Sequence, residues 1–127
     1  MFENLKVLQT SFAMARHAGA RQAITATNMA NADTPNYRAQ SIAPFSETFD
    51  GMQSTGLRAT RTNHLQAGSA GSNAQITFSD AESSPNGNTV SLEQEMINSV
   101  EIQREHNRAL AIYKHSLDVL RLSIGRR

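Results

Sequence analysis

A 3.5-residue repeat runs through the last third of this chain and limits what the chain can become. Leu92, Met96, Ser99, Gln103, His106, Leu110, Tyr113, Leu117, Leu120 and Ile124 alternate spacings of four and three without a break. A period of that kind, sustained over several turns, marks the seam of a helix that pairs with another helix. Ser91 stands just ahead of the run and three residues before Gln94, the spacing of a capping box. Glu93 and Glu95 suit the positive N-terminal end of such a helix, and Arg121, Arg126 and Arg127 suit its C-terminal end. Glu101–Arg104, Glu105–Arg108 and Lys114–Asp118 are spaced to pair along its outside, each worth about 0.2–0.5 kcal/mol. The polar seam positions Ser99, Gln103 and His106 weaken an isolated pair but help to fix its register.

A second helix is expected over residues 2–31. Leu5, Leu8, Phe12, Ala15, Gly19, Ala23, Ala26 and Ala30 form one stripe, large at its start and small afterwards. A seam of small residues lets another helix approach closely, within the chain or between chains. Pro35 restricts Thr34 and cannot continue the ladder, so the helix should stop near Asn31.

Between the helices the character changes. Residues 41–88 hold most of the glycines and many Ser, Thr and Asn residues. Gln75-Ile76-Thr77-Phe78 alternates as a strand does, and Pro85-Asn86-Gly87-Asn88 is a turn signal. The expected fold is mainly α: long N- and C-terminal helices pair as a coiled-coil-like bundle, and an irregular middle segment holds a short β-hairpin. Four segments follow from this: 1–31 helix, 32–40 turn, 41–89 irregular middle and 90–127 heptad helix, acting as one assembly-dependent unit.

Composition sharpens the picture. The 127 residues fit one domain at most, with 39% hydrophobic, 6% aromatic and no Trp. Much of the apolar content is Ala, which buries little area, while ordering the backbone costs about 1–2 kcal/mol per residue. Such a chain is marginal alone and gains stability from neighbours. It has no cysteine, so no disulfide, thiolate metal site or cysteine nucleophile can form. A net charge of +1 gives no large field toward nucleic acid or anionic lipid. No run reaches the roughly 18–20 apolar residues of a membrane span. The N-terminus carries Glu3 and no continuous apolar stretch, so a cleavable secretory signal is not expected.

The junction between the first helix and the middle carries the most specific pattern: Asn28-Met29-Ala30-Asn31-Ala32-Asp33-Thr34-Pro35-Asn36-Tyr37-Arg38-Ala39. Asn28 and Asn31 have amides that can satisfy backbone groups left open where a helix stops. Ala30 and Ala32 leave room for another backbone, Pro35 and Asn36 turn the chain, and Tyr37 supplies a ring with a hydroxyl. On composition alone, an ordinary helix end followed by a turn accounts for these residues as well. The pattern nevertheless closely resembles the N-x-A-N-x-x-T-P-G-Y signature of flagellar rod, hook and hook-associated proteins. Asp33 before Thr34-Pro35, with Arg38-Ala39 after Tyr37, resembles the form found in proximal rod subunits. Thr62-Asn63-His64-Leu65 is similar to a short T-x-H-[LI] element of the flagellar basal-body rod protein family, and Asn88 to Met96 is similar to its N-x-V-x-L-E-x-E-M run. Asn36 departs from the usual Gly; a turn that needs positive φ there accepts Asn as the next best residue.

The resemblance implies a structural subunit of the proximal rod. Such a subunit is exported by the flagellar type III apparatus without a cleavable signal and assembles in the periplasmic part of the basal body. Its partners would be copies of itself, other rod proteins, the membrane-ring adaptor and export-gate proteins, with no nucleic acid and no small-molecule substrate. Leu5, Leu8, Phe12, Leu92, Met96, Leu110, Tyr113, Leu117, Leu120 and Ile124 are the expected packing residues between subunits.

No active site, metal or cofactor is expected. His17, His64, His106 and His115 lack metal-ligand spacing. No Ser sits in a nucleophile elbow, and Gly68-Ser69-Ala70-Gly71-Ser72 lacks the Lys of a phosphate loop. Arg126-Arg127 is too short for a nucleic-acid patch. A soluble helical interaction module, such as an export chaperone or coiled-coil adaptor, also explains the heptads. It leaves the Thr-Pro-Asn-Tyr turn and the long polar middle unexplained.

Overall fold

The computed structural model describes residues 2–53, 75–79 and 81–125. Two long helices, α1 (Phe2–Ala30) and α3 (Leu92–Ile124), dominate it. At 33 residues α3 is the longer, about 50 Å from end to end. Between them come a strand β1 (Gln40–Ile42), a short helix α2 (Phe45–Gln53) and a strand β2 (Ile76–Phe78). The mainly α architecture matches the expectation, small antiparallel sheet included.

Interhelical bonds fix the direction of pairing. Arg21 meets Glu105 at 2.8 Å, and Asn28 Nδ2 donates to Glu95 Oε1 at 3.2 Å. Partners on α3 fall in number as those on α1 rise, so the helices are antiparallel. The start of α3 is capped as the sequence suggests: Ser91 Oγ accepts from the Gln94 backbone N–H at 3.4 Å. The capping box is not completed, because the Gln94 side chain turns along the helix to Asn98 Oδ1. Two of the expected surface ion pairs are also rearranged. Glu105 reaches across to Arg21 instead of along the helix to Arg108, and Asp118 lies 3.6 Å from Arg121.

The seam itself is displaced from the expected one. On α3 the buried positions are Glu95, Ile102, Ala109 and Ser116, a strict seven-residue repeat. On α1 they include Ser11, Ala18, Thr25 and Asn28. Each repeat stands one residue before the stripe read from the sequence: 11 for 12, 18 for 19, 102 for 103, 109 for 110. Hydrophobicity misleads here because the inner face is made of small and polar groups. Ala18, Ala109, Ser11 and Ser116 let the backbones approach, and the hydroxyls satisfy themselves locally. Ser11 Oγ donates to Leu8 O, and Ser116 Oγ donates to Ile112 O. The small-residue stripe of α1 does not form the close contact with α3; a Cβ placed on Gly19 would meet nothing within 4 Å.

One step along an α-helix rotates a side chain by about 100°. In an antiparallel pair, equal steps on both helices carry the side chains to the same side. The displaced stripes therefore share one face of the hairpin. A groove of about 440 Å³ runs along that face, walled by Gly19, Ala23 and Ala26 from α1 and by Gln103 and His106 from α3, with Ala18 and Ile102 beneath.

The middle is more ordered near its ends than the irregular segment expected. β1 and β2 pair with Gln40 opposite Phe78, Ser41 opposite Thr77 and Ile42 opposite Ile76. This is no tight hairpin, since residues 43–75 separate the strands. The Ser41 and Thr77 hydroxyls meet at 3.0 Å, and the Arg38 guanidinium lies 5.5 Å from the Phe78 ring centre. α2 was not anticipated; it lays Phe45 edge-on against His17 of α1, with Phe49 beside Phe45. The Thr62–Leu65 element, the Gly68–Ser72 stretch and the terminal Arg126-Arg127 lie outside the described residues.

The displaced seam has a direct test. Ala109→Leu should destabilise the isolated subunit by about 1–3 kcal/mol through overpacking, whereas Leu110→Ala should change its stability by less than about 0.5 kcal/mol. Thermal unfolding followed by circular dichroism on the monomer measures both, and equal losses would return the seam to Leu110.

Candidate functional site

Where α1 ends, its last carbonyls lose their intrahelical partners. Asn31 begins the repair: its Nδ2 donates to Thr27 O at 2.8 Å, and its Oδ1 accepts from the Thr34 hydroxyl at 3.1 Å. The chain then turns through Thr34–Tyr37, closed by the Tyr37 N–H on Thr34 O at 3.3 Å. Asn36 sits at φ +59°, the left-handed conformation that Asn tolerates better than most residues. Asp33, Thr34, Pro35 and Asn36 are exposed, so their part is conformational, whereas Asn28 is 1% exposed.

Asn28 works like a backbone group supplied by a side chain. Its Nδ2 donates to Gln40 O at 2.7 Å, and its Oδ1 accepts from Gln40 N at 3.0 Å and from the Tyr37 hydroxyl at 3.3 Å. The amide thus pairs with β1 as a strand would, while the same Nδ2 reaches Glu95 on α3. One side chain joins the first helix, the turn, the first strand and the last helix.

The residue at the centre of the junction is Asn88, 2% exposed and quoted in the sequence motif without a role. Its Nδ2 donates to the carbonyls of Asn31, Ala32 and Thr34 at 2.9, 2.8 and 2.9 Å. Two N–H bonds are thereby shared among three acceptors. Its Oδ1 accepts from Val90 N at 2.7 Å, just before α3 begins. Main-chain bonds run alongside: Asn36 N to Asn86 O, Thr89 N to Tyr37 O, and Ala39 N to the Thr89 hydroxyl. The Pro85–Asn88 turn holds Asn88 in place through Ser84 N on Asn88 O at 2.8 Å and Gly87 N on Ser84 O at 2.8 Å. Gly87 has φ +79°, and a Cβ there would collide with Asn36 Oδ1. A side chain at position 87 would have to push the Asn36 amide aside and adopt a positive φ that glycine takes most easily. In the sequence, the visible signal for Asn88 is its place between a turn and a helix cap; its three acceptors come from more than fifty residues away.

The second part of the site is the outward face of the hairpin. Leu5, Phe12, Leu92, Met96, Leu110, Tyr113 and Ile124 are exposed, Phe12 to 59% and Met96 to 56%. Leu8, Leu117 and Leu120 are half-buried. The rotation that takes these residues off the seam gathers them on the side that carries the 440 Å³ groove. Sequence reasoning missed Arg21, Thr25 and Glu95 as seam residues, since charge and polarity argue against an inward face.

Chemically, the arrangement is one of hydrogen bonds and apolar surface. His17 is the one group among the described residues with a clear pKa shift: burial, then the neighbouring Arg21 cation, pushes it below the ordinary histidine value, and Glu105 pulls it back in part. Among the described residues no three His, Asp or Glu side chains converge on a metal position. None of the described helices is long and apolar enough to cross a membrane.

No family model matches the chain. It is similar over nearly its whole length to the flagellar basal body rod protein FlgB of Agrobacterium fabrum, at 24% identity over 127 residues, 96% of this chain and 95% of that one. It is also 35% identical over 82 residues to the flagellar basal body rod protein FlgB of Bacillus subtilis, a match that covers 62% of each chain.

Asn88→Ala should cost about 2–3 kcal/mol, because three carbonyls and the Val90 N–H lose a partner. Asn88→Asp should cost at least as much, since a carboxylate cannot donate to them. Asn36→Gly should stay within about 0.5 kcal/mol, the gain at positive φ being offset by chain entropy. Urea unfolding of the three variants gives the order; an Asn88→Asp protein as stable as wild type would remove the clasp from the account.

Proposed function

We infer that the chain is a member of the FlgB family of flagellar basal body rod proteins, to two of which it is similar, and a proximal-rod subunit that polymerises through the outward face of its two long helices. The chain is a structural protein of the rod and not an enzyme. The observation that carries the finer reading is the apolar stripe on both helices, turned off the intramolecular seam and gathered on one side. Isolated exposed leucines need no explanation, but a long contiguous apolar face marks an interaction surface.

The seam within the chain is small and polar, so the free subunit buries little apolar area. The helix pair is therefore only marginally stable in the free subunit and gains further stability on assembly, each subunit completing the core of its neighbours. The partners are copies of the same chain, other rod proteins and the membrane-ring adaptor. The export gate handles the chain earlier, before it reaches the periplasm, and weak stability outside the polymer suits passage in an unfolded form. Once assembled, interlocked helices about 50 Å long resist twisting and transmit torque toward the distal rod and hook.

Leu110→Asp tests this reading, because Leu110 is 47% exposed in the subunit and its replacement leaves the intramolecular seam alone. The variant should keep its helix content by circular dichroism, leave cells non-motile, and be lost from purified basal bodies by mass spectrometry. Normal motility would overturn the assembly face. Recovery of the wild-type chain only in the cytoplasm of flagellated cells would favour the adaptor instead.

A further inference from the structure

His17 is enclosed where three elements meet, and nothing in the rod reading uses it. The side chain is 2% exposed, and neither ring nitrogen has a hydrogen-bond partner. A buried histidine left in this state is costly, because the N–H of the neutral ring goes unanswered. Its ring lies edge-on to Phe45 of α2, centroids 5.6 Å apart at 67°. One turn further along α1 stands Arg21, whose guanidinium is bonded to Glu105 of α3.

We propose that His17 is a proton-operated latch: the neutral ring holds α2 against the helix pair, and the protonated ring releases it. Protonation gives the ring a second N–H and a full charge in an enclosed site. Arg21, on the same helix, repels that charge. Glu105 is the anion facing it from α3, but its Oε2 already accepts the Arg21 guanidinium at 2.8 Å. His106, the next residue on α3, lines the groove beside Ala18. From α2 the ring meets Phe45, and the exposed Glu47 stays at the solvent. The charged ring therefore needs water, and the way to admit water is to lift Phe45.

α2 is the element that can leave. It has nine residues, fewer than the ~12–15 that an isolated helix needs in water. Its attachment to α1 runs through Phe45, 9% exposed, backed by Phe49. α1 and α3 keep their own bonds at Arg21–Glu105, Gln22–Ser99 and Asn28–Glu95, so loss of α2 need not open the pair. The direction of the pH effect follows from linkage. Burial lowers the affinity of the docked state for the proton. Docking is thus fully present above the ordinary histidine pKa of about 6.5 and weakens as pH falls below it.

Hydrogen exchange on the full chain reads this directly, with protection factors corrected for the intrinsic pH dependence of exchange. Between about pH 8 and about pH 5, protection of residues 45–53 should fall several-fold, in the direction that linkage sets. Protection of residues 95–116 should hold. His17→Phe keeps a ring against Phe45 but cannot titrate, and its α2 protection should be flat over the same range. Should the larger ring disturb the fold, His17→Leu serves as the second non-titrating variant. A ring titration of His17 by NMR should share its midpoint with α2 release. Wild-type protection of α2 that ignores pH, or an equal fall in both non-titrating variants, overturns the latch.

Discussion

The fold depends on satisfying the carbonyls left open where the first helix stops. A helix end exposes acceptors that water can satisfy, but here the ensuing turn is folded against the start of α3, and Asn88 supplies the donors. Its amide bridges Asn31, Ala32 and Thr34, while its oxygen holds Val90, two residues ahead of the first residue of α3. The interaction thus sets where α3 begins relative to where α1 ends. With that junction fixed, antiparallel pairing follows in one register, and Asn28 on Glu95 and Arg21 on Glu105 fall into place. Neither turn is arbitrary: Asn36 at positive φ and Gly87 without a Cβ are fitted to each other.

Beyond the junction, the helix pair is organised in the reverse of a soluble hairpin. Inside lie Ser11, Ala18, Thr25, Asn28, Glu95, Ala109 and Ser116, with Ile102 the one large aliphatic side chain of the buried seam among the described residues. Such groups fix register through directional bonds but remove little apolar surface from water. Outside lie Phe12, Met96, Leu110 and Ile124. The apolar area that would ordinarily stabilise a hairpin lies at the surface of this one.

This inversion also explains what was legible in the sequence. The heptad period, the helix limits, the positive-φ turn at Asn36 and the cap at Ser91 depend on local chemistry, and each could be read from neighbouring residues. The inward face could not. A hydrophobic repeat locates the face that wants burial, not the partner that buries it, so the stripe at Leu92, Met96 and Leu110 was assigned a seam that Glu95, Ile102 and Ala109 occupy. The role of Asn88 and the His17–Phe45 contact were hidden for a different reason: their partners are remote in sequence. Helix α2 was obscured because Ser, Thr and Gly dilute a nine-residue segment whose attachment rests on Phe45 meeting His17 of α1, with Phe49 beside it.

The two flanks of the hairpin bear on the kind of assembly it can make. One carries the groove lined by Gly19, Ala23, Ala26, Gln103 and His106. The other carries a smaller apolar hollow of about 280 Å³ lined by Val7, Thr10, Met14 and Ile112. Stepping back one residue from the seam leads to the second flank and stepping forward leads to the first, so they lie on opposite sides. Like faces that meet across a two-fold axis close a dimer and stop growth. Unlike faces that meet head to tail leave a free face at each end, and the series continues as a ring or a helical stack. The rod assembly proposed above needs the second arrangement, and a hairpin with a wide small-residue groove on one flank and a smaller hollow around Val7, Met14 and Ile112 on the other is chemically suited to it.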